Sequence, residues 1–356
     1  MAPTASPLNG NGSASSTHHT NGSSTSQPNV PGGIYVPIVT PFLSKEQGEE
    51  LDLPTLQKHC GRLASAGCGI VLMGTNGEAS HMTREERQQV ISTVRKLLPT
   101  TPIIAGTGTG SLKETITLTK DAAQAGADAV LVIAPGYFSA AIGKNQHALK
   151  EYFTEVASAS PVPVMLYNFP AAAAGIDMDS DLLCSIAEHP NVIGGKLTCS
   201  QIGKGARLVS ALQAQAAAHA KPVWHVWPGF ADVLLPAMTI GMTGVIAGTG
   251  NLFPHTLVEL YMLIDAAFRE KDFGKLEQAQ KLQELVGRAD WCMAKAGIAG
   301  SKWALGHWFY DMGVPRRPLQ PLGKEGQQMM LQELQEAMEH ERRLAETKGD
   351  KFVAKA

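Results

Sequence analysis

Lys196 closes the apolar run Val192-Ile193-Gly194-Gly195. If that run is a barrel strand, its last side chain points into the mouth, where catalytic groups of such barrels sit. An ammonium buried there is costly unless paired, and burial drives a lysine towards its neutral form. A neutral amine is the nucleophile that Schiff-base chemistry requires. A lysine that snorkels to the rim, or one paired with a carboxylate, accounts for the position equally well. Tyr167 ends the preceding apolar run, so phenol and amine can converge across neighbouring strand ends. A phenol beside an amine and a keto group can shuttle protons during carbinolamine formation and carbon–carbon cleavage. An amphipathic core tyrosine is the plainer alternative.

Two further turns carry polar groups. Gly74-Thr75-Asn76-Gly77 offers consecutive backbone N–H groups and two short polar side chains, a cradle suited to a carboxylate. A plain strand–helix turn would read the same way. Tyr137 follows Pro135-Gly136 and could reach the same mouth or a neighbouring subunit; taken alone it reads as structural. Other chemistries find less support. Neither Gly106–Gly110 nor Gly248–Asn251 completes GxGxxG or a P-loop, and there is no GxSxG elbow. The 11 histidines are scattered, and no convergent ligand spacing suggests a metal. Cys199, three residues past Lys196, reads as a small hydrophobe.

The elements that must position these groups repeat one pattern, a short β-branched run, a turn and an amphipathic stretch. The runs are Ile34–Val39, Gly69–Met73, Ile103–Ala105, Ala129–Ala134, Val162–Tyr167, Val192–Lys196, Val223–Val226 and Gly244–Ala247. Helical stretches lie between or after them near 53–66, 83–98, 111–125, 145–159, 179–188, 203–218, 230–240 and 254–269. Continuous apolar strands alternating with helices imply a parallel sheet covered on both faces. Eight such units over residues 32–270 match a (β/α)₈ barrel. An open doubly wound sheet would usually carry a glycine fingerprint after its first strand, where Val39-Thr40-Pro41-Phe42 stands instead. Residues 271–347 read as helices appended to the barrel, with Leu276, Ala279, Leu282 and Val286 at helical spacing. The segment 324–347 reads as a solvated amphipathic helix, and 348–356 as a frayed end.

Composition narrows the class. The chain has 356 residues, a formal net charge of -2 and a hydrophobic fraction of 44%, so neither nucleic acid nor an anionic membrane is an expected partner. No apolar run reaches the roughly 18 residues of a membrane-spanning helix. The 5 cysteines are widely spaced, with no CxxC pair, as reduced intracellular thiols would be. Residues 1–31, rich in Ser, Thr, Asn, Gly and Pro, read as a disordered tail. It has no Lys or Arg and no apolar stretch, unlike a secretory or mitochondrial leader, so a cytoplasmic location is expected.

The motifs Gly74-Thr75-Asn76-Gly77-Glu78, Pro135-Gly136-Tyr137, Tyr167-Asn168-Phe169-Pro170 and Gly195-Lys196 resemble those of the dihydrodipicolinate synthase / N-acetylneuraminate lyase family in order and spacing. The likeness covers residues 33–320. It implies a pyruvate-handling class I aldolase acting on a small 2-oxo acid, without metal or organic cofactor, assembled as a homotetramer (a dimer of dimers). By this resemblance Lys196 forms the imine and Tyr167 is the general acid/base. Thr75 and Asn76 hold the pyruvate carboxylate, with backbone near Ile246 helping, and Tyr137 is lent by a neighbouring subunit.

Two departures bear on the substrate. Asn76 stands where the lysine-pathway synthases have a second threonine. Ala171-Ala172-Ala173-Ala174-Gly175 replaces the region of their arginine, removing the bidentate partner of a distal carboxylate. Asn76, the stretch Ile176–Asp181 and Lys196-Leu197-Thr198-Cys199 look more like eukaryotic 4-hydroxy-2-oxoglutarate aldolases and fungal 3-deoxy-hexulosonate aldolases, which places Thr198 near substrate hydroxyls. The expected reaction is cleavage of a 2-keto-3-deoxy sugar acid, or of 4-hydroxy-2-oxoglutarate, to pyruvate and an aldehyde. A condensing synthase and a catalytically silent binding barrel are the alternatives.

Overall fold

The computed structural model describes residues 30–47, 49–219, 224–351 and 354. The expected disordered tail therefore lies outside the described residues up to Asn29. Eight parallel strands form the sheet: β1 (Gly33–Pro37), β2 (Gly69–Leu72), β3 (Ile103–Gly106), β4 (Ala129–Ile133), β5 (Val164–Asn168), β6 (Val192–Leu197), β7 (His225–Pro228) and β8 (Gly244–Ile246). Each pairs with its sequence neighbour through β7, and β8 pairs with β1. The Thr243 N–H donates to the Val226 carbonyl at 3.0 Å, drawing the two ends of the order together into a nearly closed barrel. The expected runs are all strands; the largest offset is at β7, whose expected start, Val223, is outside the described residues.

The helices are α1 (Leu53–Ser65), α2 (Arg84–Leu97), α3 (Leu112–Ala125), α4 (Ser139–Ile142), α5 (Gln146–Ala159), α6 (Ser180–Ala187), α7 (Ile202–His219), α8 (Leu234–Thr239), α9 (Pro254–Glu270), α10 (Phe273–Trp308) and α11 (Lys324–Thr347). Side-chain oxygens at their N-termini define several starts. Asp52, Ser111, Asn145 and Asp179 each accept from a first-turn N–H, and Thr83 with Glu86 forms a reciprocal capping box. Among the described residues no helix is long and apolar enough to cross a membrane.

Side chains alternate across the strands. Met165 and Tyr167 of β5 point into the barrel, packing with Tyr35, Leu131, Ile193 and Trp227, whereas Val164 and Leu166 face the helices. In β6 the alternation is interrupted. Val164 is opposite Val192, but Met165 is opposite Gly194, so Ile193 is an extra residue. Beyond this bulge Tyr167 is opposite Lys196, and Lys196 is opposite Trp227. Without the extra residue the lysine would turn outward towards the helices. Gly194 is obligatory for packing here, since a Cβ would lie 2.8 Å from the His225 carbonyl oxygen and 2.9 Å from the Trp227 ring.

The appended helices are more than a solvated addition. α11 buries Met330, Leu334, Ala337 and Met338 against α10 and the start of α9. Its Glu341, 1% exposed, accepts from the N–H groups of His255 (3.1 Å) and Thr256 (2.8 Å) and from the Thr256 hydroxyl (2.7 Å). These N–H groups open α9, whose own N-cap residue, Phe253, supplies no side-chain acceptor. The expectation of a solvated helix is therefore corrected: one face docks and closes a helix end. Nor is all of the segment after Lys348 frayed, because Asp350 pairs with His255 at 2.8 Å with both side chains buried.

Gly194→Ala should lower unfolding stability by about 1–3 kcal/mol through overpacking against Trp227. Urea denaturation of the two proteins measures the loss, and an unchanged midpoint would show that β6 and β7 can part without cost.

Candidate active site

The mouth of the barrel holds a cavity of about 360 Å³, lined at one side by Thr75, Asn76, Tyr167, Lys196 and Thr198. Five of the residues expected from sequence thus meet. Lys196 is 5% exposed, and its Nζ stands 4.6 Å from the centre of the Tyr167 ring. None of the ion pairs found among the described residues includes Lys196, so a paired structural lysine is not what the geometry shows. The Tyr167 ring stacks on Phe169, with centroids 5.8 Å apart, and its hydroxyl lies 3.3 Å from Thr75 Oγ1. The phenol is thus held from two sides, by Phe169 and by Thr75. An amine with a hydroxyl relay beside it can form and cleave an imine.

The turn after β2 is held in an unusual backbone conformation. Met73 (φ 49°) and Glu78 (φ 54°) bracket it in the left-handed region, which costs energy for residues bearing a Cβ. Its N–H groups at Gly77, Glu78 and Ala79 bond back to the carbonyls of Gly74 and Thr75. The carboxylate cradle expected from four consecutive residues thereby narrows to Thr75 and Asn76. Asn76 Nδ2 donates to the Pro37 carbonyl at 3.4 Å and crosses directly over Gly248, where a Cβ would lie 2.5 Å away.

Glu78 secures this turn from below. It pairs with Lys302 of α10 at 2.7 Å with both side chains buried, and accepts from the Arg316 N–H at 2.8 Å. Burial lowers Lys302 to about 8 even against the opposing pull of Glu78. Removing either partner would strand a buried charge, so the pair binds the motif turn to the appended helix.

Two expected residues lie elsewhere. Tyr137, in the turn between β4 and α4, is 87% exposed, touches Phe138 edge-on at 5.0 Å and does not line the cavity. Ile246 is fully buried, and its side chain fills the barrel interior below the mouth with Tyr35 and Trp227. The expectation concerned backbone near Ile246, and Gly248 and Thr249, just past the end of its strand, line the cavity. Thr198 does reach the cavity: it is 8% exposed, and its hydroxyl is buried without a hydrogen-bond partner.

Sequence reasoning missed the wall contributed by α10, which includes Asp290, Met293, Gly297, Ile298 and Ser301. Gly297 (φ 61°, ψ -151°) breaks the helix, a conformation that favours glycine. Asp290, 4% exposed, accepts from the N–H groups of Ala231 (3.1 Å) and Asp232 (3.3 Å) and from the Thr249 hydroxyl. Burial, reinforced by the Asp232 carboxylate, pushes its carboxyl up to about 7 against the pull of the two N–H donors. A signal was present: Leu282, Val286, Asp290 and Met293 share one helical stripe, and an acid on an apolar stripe is anomalous. Among the described residues no group of three or more His, Cys, Asp or Glu is arranged to hold a metal ion.

The chain is similar to known proteins over most of its length. The model of the dihydrodipicolinate synthetase family matches residues 30–337. The chain belongs to that family. An Aspergillus niger protein named L-threo-3-deoxy-hexylosonate aldolase is 39% identical over 333 residues, covering 88% of this chain and 96% of its own. An Emericella nidulans protein named "Probable 4-hydroxy-2-oxoglutarate aldolase, mitochondrial" is 41% identical, covering 89% and 98%. Among solved structures, a chloride-inhibited dihydrodipicolinate synthase from Acinetobacter baumannii, complexed with pyruvate, superposes with a TM-score of 0.75 at 30% identity, covering 86% and 98%. The barrel and its family, expected from the motifs, are thus found.

The raised carboxyl of Asp290 has a consequence for stability. Between the ordinary value of 3.8 and about 7, the folded chain keeps a proton there that the unfolded chain releases. This contribution is full below the lower value and lost as pH rises through the upper one. Asp290→Asn should therefore flatten that part of the urea-midpoint profile against pH; an unaltered slope would assign it to another group.

Proposed function

We propose that this chain cleaves a 2-keto-3-deoxy sugar acid, or 4-hydroxy-2-oxoglutarate, to pyruvate and an aldehyde through an imine on Lys196. The chain is a carbon–carbon lyase of the aldolase kind, as the relatives' names and the extent of their match support. The observation that carries the mechanism is the pairing of Lys196 with Tyr167 across β5 and β6, both nearly buried at the floor of one cavity.

The Lys196 amine attacks the C2 keto carbon, and loss of water leaves a protonated imine. This cation is the electron sink, so the reaction calls on no metal or organic cofactor. Tyr167, its hydroxyl beside Thr75, takes the proton of the C4 hydroxyl. The C3–C4 bond then breaks, the aldehyde departs, and its electron pair forms an enamine. Protonation at C3 and hydrolysis release pyruvate and restore the amine. Thr75 and Asn76 hold the pyruvate carboxylate, with Gly248 and the strand-eight backbone beside them; that the Acinetobacter relative is solved with pyruvate bound supports pyruvate as the half retained on the enzyme.

The assembly belongs to the same proposal. Tyr137 and Phe138 are 87% and 63% exposed, a pair of aromatic rings suited to burial against a second copy. We read the chain as a homotetramer in which Tyr137 serves a neighbouring subunit's relay. A cytoplasmic placement is part of the same reading, although the Emericella relative carries a mitochondrial name. The condensing-synthase alternative is disfavoured by the uncharged 171–175 stretch.

Borohydride added with pyruvate should leave a pyruvate adduct that mass spectrometry maps to Lys196 and that Lys196→Ala lacks. Tyr167→Phe should keep the adduct while kcat falls by about 10²–10⁴. A folded wild-type chain that forms no adduct would refute the mechanism and leave a binding role.

A further inference from the structure

The mechanism above assigns Lys196, Tyr167 and the pyruvate cradle, but leaves the α10 side of the cavity without a task. Its charge is distinctive. Among the described residues that line the cavity, Lys196 is the one basic side chain and Asp290 the one acidic side chain. Imine formation occupies the first. A substrate half extending past the imine therefore meets an acid and finds no cation to pair with.

Asp290 also keeps acceptor capacity. Its Oδ2 accepts the N–H groups of Ala231 and Asp232, and its Oδ1 accepts the Thr249 hydroxyl. A carboxylate oxygen has two acceptor positions, so Oδ1 keeps one for a further donor. Independently, the Thr198 hydroxyl is buried in the same cavity with no partner. Its position depends on Gly229, where a Cβ would lie 2.1 Å from Thr198 Oγ1. A buried hydroxyl without a partner costs free energy that a ligand hydroxyl would recover.

We propose that Asp290 is a specificity-determining residue: with Thr198 it hydrogen-bonds a neutral, hydroxylated aldehyde half and rejects one that carries a second carboxylate. This rests on the aldolase reading above. Against a dicarboxylate, the ionised form of Asp290 acts by like-charge repulsion. For a hydroxylated half, the pair of polar groups supplies partners that a shorter substrate would leave unmet. Because the carboxyl is pushed up to about 7, its protonated form is also present near neutrality and can donate to a substrate oxygen.

The test compares kcat/KM for a six-carbon 2-keto-3-deoxy acid with that for 4-hydroxy-2-oxoglutarate. The wild-type chain should favour the first by about tenfold or more, and Asp290→Asn should shrink that preference by about tenfold, chiefly by raising turnover of the dicarboxylate. Thr198→Val provides a second variant should the first fold poorly, and should lower kcat/KM for the hydroxylated substrate by about tenfold, more than it lowers that for the dicarboxylate. Equal use of both substrates by the wild type, or an unchanged ratio in a folded Asp290→Asn protein, overturns the proposal. Absence of the borohydride-trapped adduct in the wild type would count instead against the aldolase reading, so the two failures are separable.

Discussion

The register of β5 on β6 is the constraint on which the site depends. A strand presents alternate side chains to opposite faces, so one residue decides whether Lys196 enters the barrel or lies among the helices. Ile193 is that residue. It fills the barrel interior with Tyr167 and Trp227, and the chain then advances one position before pairing resumes. Gly194 and Gly195 permit the close approach, with Trp227 and Trp224 occupying the space their side chains would need. The Lys196 side chain consequently arrives opposite Tyr167 and, nearly buried, places its Nζ over the aromatic face.

The second dependence is on a helix outside the repeating barrel units. α10 crosses the mouth, and its break at Gly297 brings Ile298 and Ser301 to the cavity as well as Asp290 and Met293. It is fastened at two buried polar contacts. One joins Lys302 to Glu78 at the base of the Thr75–Asn76 turn; the other joins Asp290 to the turns after β7 and β8. Both contacts replace water around charged groups with fixed partners, which makes them costly to break and geometrically selective. The Thr75–Asn76 turn, the Lys196 wall and the far wall are thus held in relation by side chains distant from one another in sequence.

Much of this was legible before the fold. Tyr167 and Lys196 stood out because each ended an apolar run, and Thr75 and Asn76 because glycines framed them. Thr198 was reached through the Lys-Leu-Thr-Cys stretch alone. Tyr137 and Ile246 were less well served. Both entered through the family resemblance rather than local spacing; Tyr137 is exposed in the single chain, and the inward face of Ile246 depends on where β8 stops relative to the mouth. Asp290 went unnoticed, although an acid between Val286 and Met293 departs from the stripe around it, because nothing in local spacing says what that stripe is packed against.

Local chemistry in the chain was sufficient for the alternation of strand and helix, the eightfold count, the cap residues and the polar turns at strand ends, since each follows from interactions within a few residues. The tertiary structure alone decided the bulge at Ile193, the docking of α11 through Glu341 and the use of α10 as a cavity wall. These depend on which surfaces meet across long separations, where volume, buried charge and unsatisfied N–H groups must be reconciled at once. Periodicity shows that a face is apolar; only packing selects its partner.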